Sequence, residues 1–165
     1  MNKTKALTTL VTCIALSAVG AWIKIPAVIG SVALDSAPAL IGAILLGPIA
    51  GGITGALGHI LSALLSGLPL GPAHLLIGAE MFILVAGFGL LIQKKQQKAA
   101  YLFFCVGNVL IAPLPFIWMM GLPFYMGIVP SLTIAVIVNS TIVVLIAPRL
   151  QKWHRKTGID GHFHA

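Results

Sequence analysis

The sequence predicts an all-α membrane protein, a compact bundle of six transmembrane helices with both termini on the cytoplasmic side. Three observations carry that prediction. First, 59% of the 165 residues are hydrophobic and only 8% are charged, against about 25% charged in a soluble domain. Mean hydropathy is +1.07, and the 18 glycines and 10 prolines suit membrane spans, which tolerate both better than soluble helices do. Second, the basic residues are clustered. Lys3 and Lys5, then Lys94, Lys95 and Lys98, then Arg149, Lys152, Arg155 and Lys156 make up all but Lys24 of the 10 Lys and Arg. Basic flanks mark the cytoplasmic side, so an even number of spans must separate each cluster from the next. Third, the apolar segments divide as four before Lys94 and two after Lys98. Six spans of about 20 residues would use about 120 positions and leave no room for an extramembrane domain, so 1–165 reads as one integral membrane unit. The excess of Lys and Arg therefore reports topology within the lipid bilayer, and no nucleic-acid partner is expected.

Span one is placed at 6–25 and ends at Pro26, which lacks a backbone donor and restricts the residue before it. Its start resembles a cleavable signal peptide. It is read as retained, because cleavage would put the basic clusters on opposite sides. Residues 27–35 form an outer loop. Span two, 36–47, is short and turns at Gly47-Pro48. Span three, 50–65, follows almost at once and stops at Ser66-Gly67-Leu68-Pro69-Leu70-Gly71-Pro72, a run that enforces a turn. Span four, 73–92, leads into the polar Gln93 to Lys98 connection. Span five is placed at 100–111. Pro113, Pro115 and Pro123 then interrupt an aromatic segment, Phe116 to Tyr125, of lid or re-entrant length. Span six, 129–147, leads into a basic cytoplasmic tail, 148–165.

Chemistry is constrained first by what the chain lacks. No glycine precedes a lysine, so there is no phosphate-binding loop of the Gly-x-x-x-x-Gly-Lys-Ser/Thr kind, and neither His-Glu-x-x-His nor Gly-x-Ser-x-Gly occurs. The protein is not expected to be an enzyme, and no cofactor is expected. Cys13 and Cys105 lie in apolar runs and read as packing residues. The tail histidines His154, His162 and His164 lack the folded scaffold a metal site needs, so no metal site is expected.

Polar groups at membrane depth are the positive signal, because each is costly there without a partner or a cavity. These are Asp35, His59, Glu80, Asn108 and Asn139, with His74 near the outer end of span four. Glu80 suits a ligand contact or a structural partner such as His59. His59 suits a satisfied interior position or a ligand contact. Tyr101, Phe104 and Asn108 share one face of span five and Ser131, Ala135 and Asn139 one face of span six. These faces could wall a pocket for a flat, partly polar molecule, closed from outside by Trp118, Phe124 and Tyr125, although Trp and Tyr also serve as interface anchors. Small residues recur along span one at Thr9, Cys13, Ser17 and Ala21, a face that permits close helix contact, either inside the bundle or against another membrane protein. Gly47, Gly51, Gly55 and Gly58 give the span-two to span-three hairpin the same property.

The run Leu46-Gly47-Pro48-Ile49-Ala50-Gly51-Gly52-Ile53-Thr54-Gly55-Ala56-Leu57-Gly58, in a small six-span chain with basic cytoplasmic ends, resembles the substrate-binding S component of an energy-coupling factor (ECF) vitamin transporter. The resemblance covers nearly the whole chain and is strongest from Ser31 to Gly71. It implies an outward pocket for a vitamin or vitamin precursor, with Glu80, Asn108 and Asn139 as pocket positions. It also implies a transmembrane coupling subunit and two ATPase subunits as partners, which would explain the missing ATP motif. Docking in such proteins runs through an Ala-x-x-x-Ala arrangement on span one. Here Thr9, Cys13, Ser17 and Ala21 take that place with Ala15 and Ala18 beside them, so the literal motif is absent. Asn2 stands where nickel and cobalt members carry a histidine, which argues against a metal ion as substrate. Gly30-Ser31-Val32-Ala33-Leu34-Asp35-Ser36 and Pro69-Leu70-Gly71-Pro72-Ala73-His74 resemble the alpha-ribazole group, which salvages a cobalamin precursor; pantothenate, riboflavin or another vitamin stays open. The competing reading is a stand-alone proton-coupled carrier that works through Glu80.

Overall fold

In the computed structural model, residues 3–26 and 31–156 are described, except for the side chains of 24–26, 31–33 and 154–156. Helix α1 runs Lys3–Gly20, the short strands β1 and β2 run Lys24–Pro26 and Ser31–Ala33, and α2 runs Ser36–Leu46. Then come α3, Pro48–Leu65; α4, Ala73–Gln93; α5, Gln97–Val106, continued by a π-helical turn over Gly107–Ile111; α6, Pro115–Met120; and α7, Leu122–Lys156. Four stretches among the described residues are long and apolar enough to cross a membrane: Pro48–Leu65, Ala73–Gln93, Gln97–Met120 and Leu122–Trp153.

Three elements depart from the expected boundaries. Span one was placed at 6–25, but α1 stops at Gly20 and the chain turns into a hairpin that pairs Lys24 with Ala33, Ile25 with Val32 and Pro26 with Ser31. Extended backbone is what a residue before proline favours, so the end moves inward and the chain is not purely helical. Span six was placed at 129–147 with a tail after it, yet α7 passes through Pro130 and Pro148. An interior proline forfeits one helical bond and is tolerated in membrane helices where neighbours re-satisfy the freed carbonyl. At about 1.5 Å per residue α7 is about 52 Å long. The Phe116 to Tyr125 segment is helical: it is α6 and the first turn of α7. His162 and His164 and the side chain of His154 lie outside the described residues.

Helix α2 has 11 residues, about 16 Å at the same rise, half of the roughly 30 Å hydrocarbon layer. It lies at the centre, in contact with α1, α3, α4 and α7, with Ala37, Ala39, Leu40, Gly42, Ala43 and Leu46 buried. Leu40 packs into one apolar core with Val85, Phe88, Phe104 and Val143. Because α2 starts inside the protein, its first N–H groups need internal acceptors. Asn139 of α7 supplies one: its Oδ1 accepts from the Ala37 N–H at 2.8 Å while its Nδ2 donates to the Ala135 carbonyl at 2.9 Å. Asn139→Leu would leave the Ala37 donor unpaired, a cost of about 2 kcal/mol. A fall in melting temperature of about 6 °C is expected, and thermal unfolding in mild detergent would measure it.

Glycines set the helix separations. Between α3 and α4, a β-carbon on Gly52 would meet the Phe82 ring at 2.9 Å and one on Gly55 would meet Val85 Cγ2 at 3.0 Å. Between α2 and α3, Gly51 lies on the backbone of Ala43. Gly47 joins those two helices at φ +99°, a conformation open to glycine and strained for other residues.

Candidate functional site

One end of the bundle encloses a cavity of about 420 Å³, within the size range of small-molecule sites. Its lining comes from just past α1 (Ala21), the entry to α2 (Asp35, Ser36), the second half of α3 and the residue that follows it (His59, Ser62, Ser66), the first half of α4 (His74, Glu80, Met81), the π-helical turn (Asn108), and α6 with the first half of α7 (Phe116, Phe124, Ser131). These are the ends of the helices remote from Lys3, Lys94, Lys98 and Arg149.

Eight of the sequence-predicted pocket residues meet here: Asp35, His59, His74, Glu80 and Asn108, together with Phe124, Ser131 and Ala135. Their environments differ. The rings of His59 and His74 are paired, Nε2 to Nδ1 at 3.1 Å, and His74 Nε2 accepts from the Leu70 N–H at 3.3 Å. His59 is thus partnered by another histidine and not by Glu80. Glu80 Oε2 is buried with no hydrogen-bond partner among the described residues, a state that costs free energy unless a donor is supplied. Asp35 takes a hydrogen bond from Ser36 Oγ at 3.1 Å on Oδ1. Asn108 is buried in the π-helical turn, where its Nδ2 lies 3.4 Å from the sulfur of Met81. The turn closes with the Ala112 N–H on the Gly107 carbonyl at 2.8 Å, five residues back. Such π-turns recur at functional positions because they displace one side chain from the regular helical face.

Other expectations place differently. Trp118 is 82% exposed and lies outside the lining, where an interface anchor would lie. Tyr125 donates to the Leu110 carbonyl at 3.1 Å, and it too is outside. Of the three aromatics expected there only Phe124 lines the cavity, and with Phe116, at a ring-centroid distance of 6.0 Å, it supplies the aromatic wall. Asn139 is committed to α2, as described above. Tyr101 and Phe104 both pack on Phe88, at centroid distances of 5.2 and 6.3 Å, so that face of α5 serves the core. Sequence reading missed Phe116, Ser62 and Ser66; a turn inside a proline-broken segment hides which aromatic points inward.

The small-residue stripe of α1 also resolves. Cys13, Ser17 and Ala21 are buried. Ser17 Oγ donates to the Asp35 carbonyl, and a β-carbon on Gly58 would collide with that same hydroxyl. The stripe is therefore used inside the bundle, against α2 and α3, and Thr9 and Ala18 sit half-buried at its edge. Ala15 is exposed on the opposite side with Thr8 and Thr12. Among the described residues no group of three or more His, Cys, Asp and Glu is arranged to hold a metal ion.

Comparison with known proteins places this architecture. The family model described as "ECF transporter, substrate-specific component" matches residues 5–153. The chain belongs to that family of substrate-specific membrane components. A solved structure of the S component of a bacterial ECF transporter superposes with a TM-score of 0.67 over 92% of this chain and 98% of that chain, at 21% sequence identity, which shows a shared fold. A search of curated proteins gives no match.

Proposed function

We propose that this protein is the solute-binding subunit of an ECF-type importer for a vitamin or vitamin precursor. The observation that carries this reading is Glu80, a carboxyl on the wall of a cavity of ligand size whose Oε2 is packed away with no hydrogen-bond partner among the described residues. A bound solute would donate to the Glu80 carboxyl, whose rotation brings Oε2 into the cavity, and Phe116 and Phe124 would cover its ring. The basic ends at Lys3, Lys94 and Arg149 favour a topology of six crossings with both termini cytoplasmic, which puts the cavity on the outer side of the cell membrane. In this reading Asp35, His59, His74, Glu80 and Asn108 contact or orient the solute. Alpha-ribazole suits the site chemically: a benzimidazole is flat enough to lie on phenylalanine rings, and ribose hydroxyls can donate to Glu80 or Asp35.

A transmembrane coupling subunit and two ATPases would power transport, since the chain carries no ATP-binding motif. Their docking face is assigned to Thr8, Thr12 and Ala15. These are small residues that α1 leaves exposed along its length, with the threonine hydroxyls tied back to the Thr4 and Thr8 carbonyls at 2.9 and 2.8 Å, so close approach there meets hydroxyls that are already bonded. Ala15→Trp is expected to lower ATP-driven uptake about tenfold, equivalent to about 1.4 kcal/mol at the interface, and to leave solute affinity of the isolated protein unchanged.

The experiment is uptake into vesicles containing this protein with or without a coupling module. ATP-dependent accumulation that needs the module supports the proposal. Accumulation driven by a pH gradient without it would favour a stand-alone proton-coupled carrier built on the same Glu80 carboxyl.

A further inference from the structure

The histidine pair in the cavity has a defined direction. The Leu70 main-chain N–H can only donate, so His74 Nε2, 3.3 Å away, must be the bare nitrogen of a neutral ring. Its proton then sits on Nδ1, 3.1 Å from His59 Nε2, which must accept in turn. That leaves the His59 proton on Nδ1. His59 Nδ1 has no protein partner among the described residues and is not sealed in the packing, and His59 lines the cavity. A backbone amide thus sets, through two rings, which polar group the cavity offers.

We infer that the chain Leu70 N–H, His74, His59 fixes His59 Nδ1–H as a hydrogen-bond donor to the solute. The site then selects a molecule with an acceptor facing His59 and a donor facing Glu80, and without an acidic group. The inference rests on the solute-binding reading. Charge distribution supports the last part: two of the chain's three acidic residues, Asp35 and Glu80, line the cavity, and none of the described lining residues is Lys or Arg. An anion placed between carboxyl groups without a counter-cation is disfavoured. The positive end of α2, which would otherwise attract an anion, already faces Asp35 and the Asn139 amide oxygen. The matching solute is a neutral or cationic heterocycle with hydroxyl or amino donors on one edge and a ring nitrogen or carbonyl on another.

The first test requires no ligand. Nitrogen-15 NMR of histidine-labelled protein in lipid, assigned with His59→Gln and His74→Phe, is expected to show both rings protonated on Nδ1 and bare on Nε2. A proton on His74 Nε2 would overturn the relay. The second measures thermal shifts with alpha-ribazole, thiamine, riboflavin and pantothenate, then titrates the compound that stabilises most. That compound is expected not to be pantothenate, the one with a carboxylate. Its affinity is expected to fall at least tenfold in His59→Phe and in His74→Phe, and to recover in His59→Gln, which restores a donor. Preferential binding of pantothenate, or unchanged affinity in His59→Phe, would overturn the inference while leaving the binding-subunit reading standing. If neither these four nor any other added vitamin binds, the donor assignment falls together with the solute-binding reading on which it rests, whichever nitrogens carry the protons.

Discussion

Replacing Glu80 by methionine is expected to raise the melting temperature of the ligand-free protein and to abolish solute binding. The two effects have one cause. Oε2 is buried without a donor, so the apo protein bears the desolvation cost of that atom, about 2 kcal/mol. A methionine of similar length removes the cost and keeps contact with the apolar lining, and the expected gain is about 6 °C. In the proposed complex the carboxyl would turn to accept from the solute, so its removal would strand a donor on the ligand. Affinity is expected to fall about 100-fold, close to 2.7 kcal/mol. Differential scanning fluorimetry and equilibrium binding on the same preparation would check both. A residue whose role is purely structural would lower stability instead, and a melting temperature that drops in Glu80→Met would place Glu80 with Asn139 among the groups that hold the bundle together. Stability gained with function lost is the usual mark of a site group left unsatisfied for its ligand.

Gly51→Leu is expected to prevent accumulation of folded protein. A β-carbon at Gly51 would lie 2.6 Å from the Ala43 Cα and 2.8 Å from its nitrogen, and backbone cannot move aside as a side chain can. The clash also lies at the helix pair that joins the central half-length α2 to the rest of the bundle. Overpacking of this kind costs about 3 kcal/mol if the helices separate, and their separation would open the core around Leu40 and Val85. Gly67→Leu is the control. Nothing lies near its β-carbon position, and only the φ of +81° opposes a side chain, so a much smaller loss is expected. Size-exclusion profiles of the two variants in mild detergent make the comparison.

The positions of the polar residues explain how much of this was legible. Glu80, His59 and Asp35 stand out in an apolar chain because burial of each is costly, and all three line the cavity. Gly47-Pro48 marked the α2–α3 junction because only glycine takes that φ without strain. Boundaries were lost where proline misleads. Pro130 and Pro148 look like helix ends in sequence, and in α7 both are interior. The roles of Asn139 and Trp118 were lost for another reason. Helical spacing says which residues share a face, but whether that face meets a cavity, another helix or lipid depends on partners far away in sequence, as with Ala37 and Asn139. The stripe on α1 is the same case: Ser17 faces Gly58, and no local pattern tells an internal neighbour from a second protein. The π-helical turn that places Asn108 left no sequence signal.

Solute occupancy is measured by purifying the protein in mild detergent from cells grown in rich medium and analysing what it retains by mass spectrometry, beside Glu80→Met prepared in the same way. One small organic molecule near one per chain in the first preparation, absent from the second and free of carboxylate or phosphate, is the expected result. A first preparation with no retained molecule, and no rise in melting temperature with any added vitamin, would contradict a solute-binding role for the cavity.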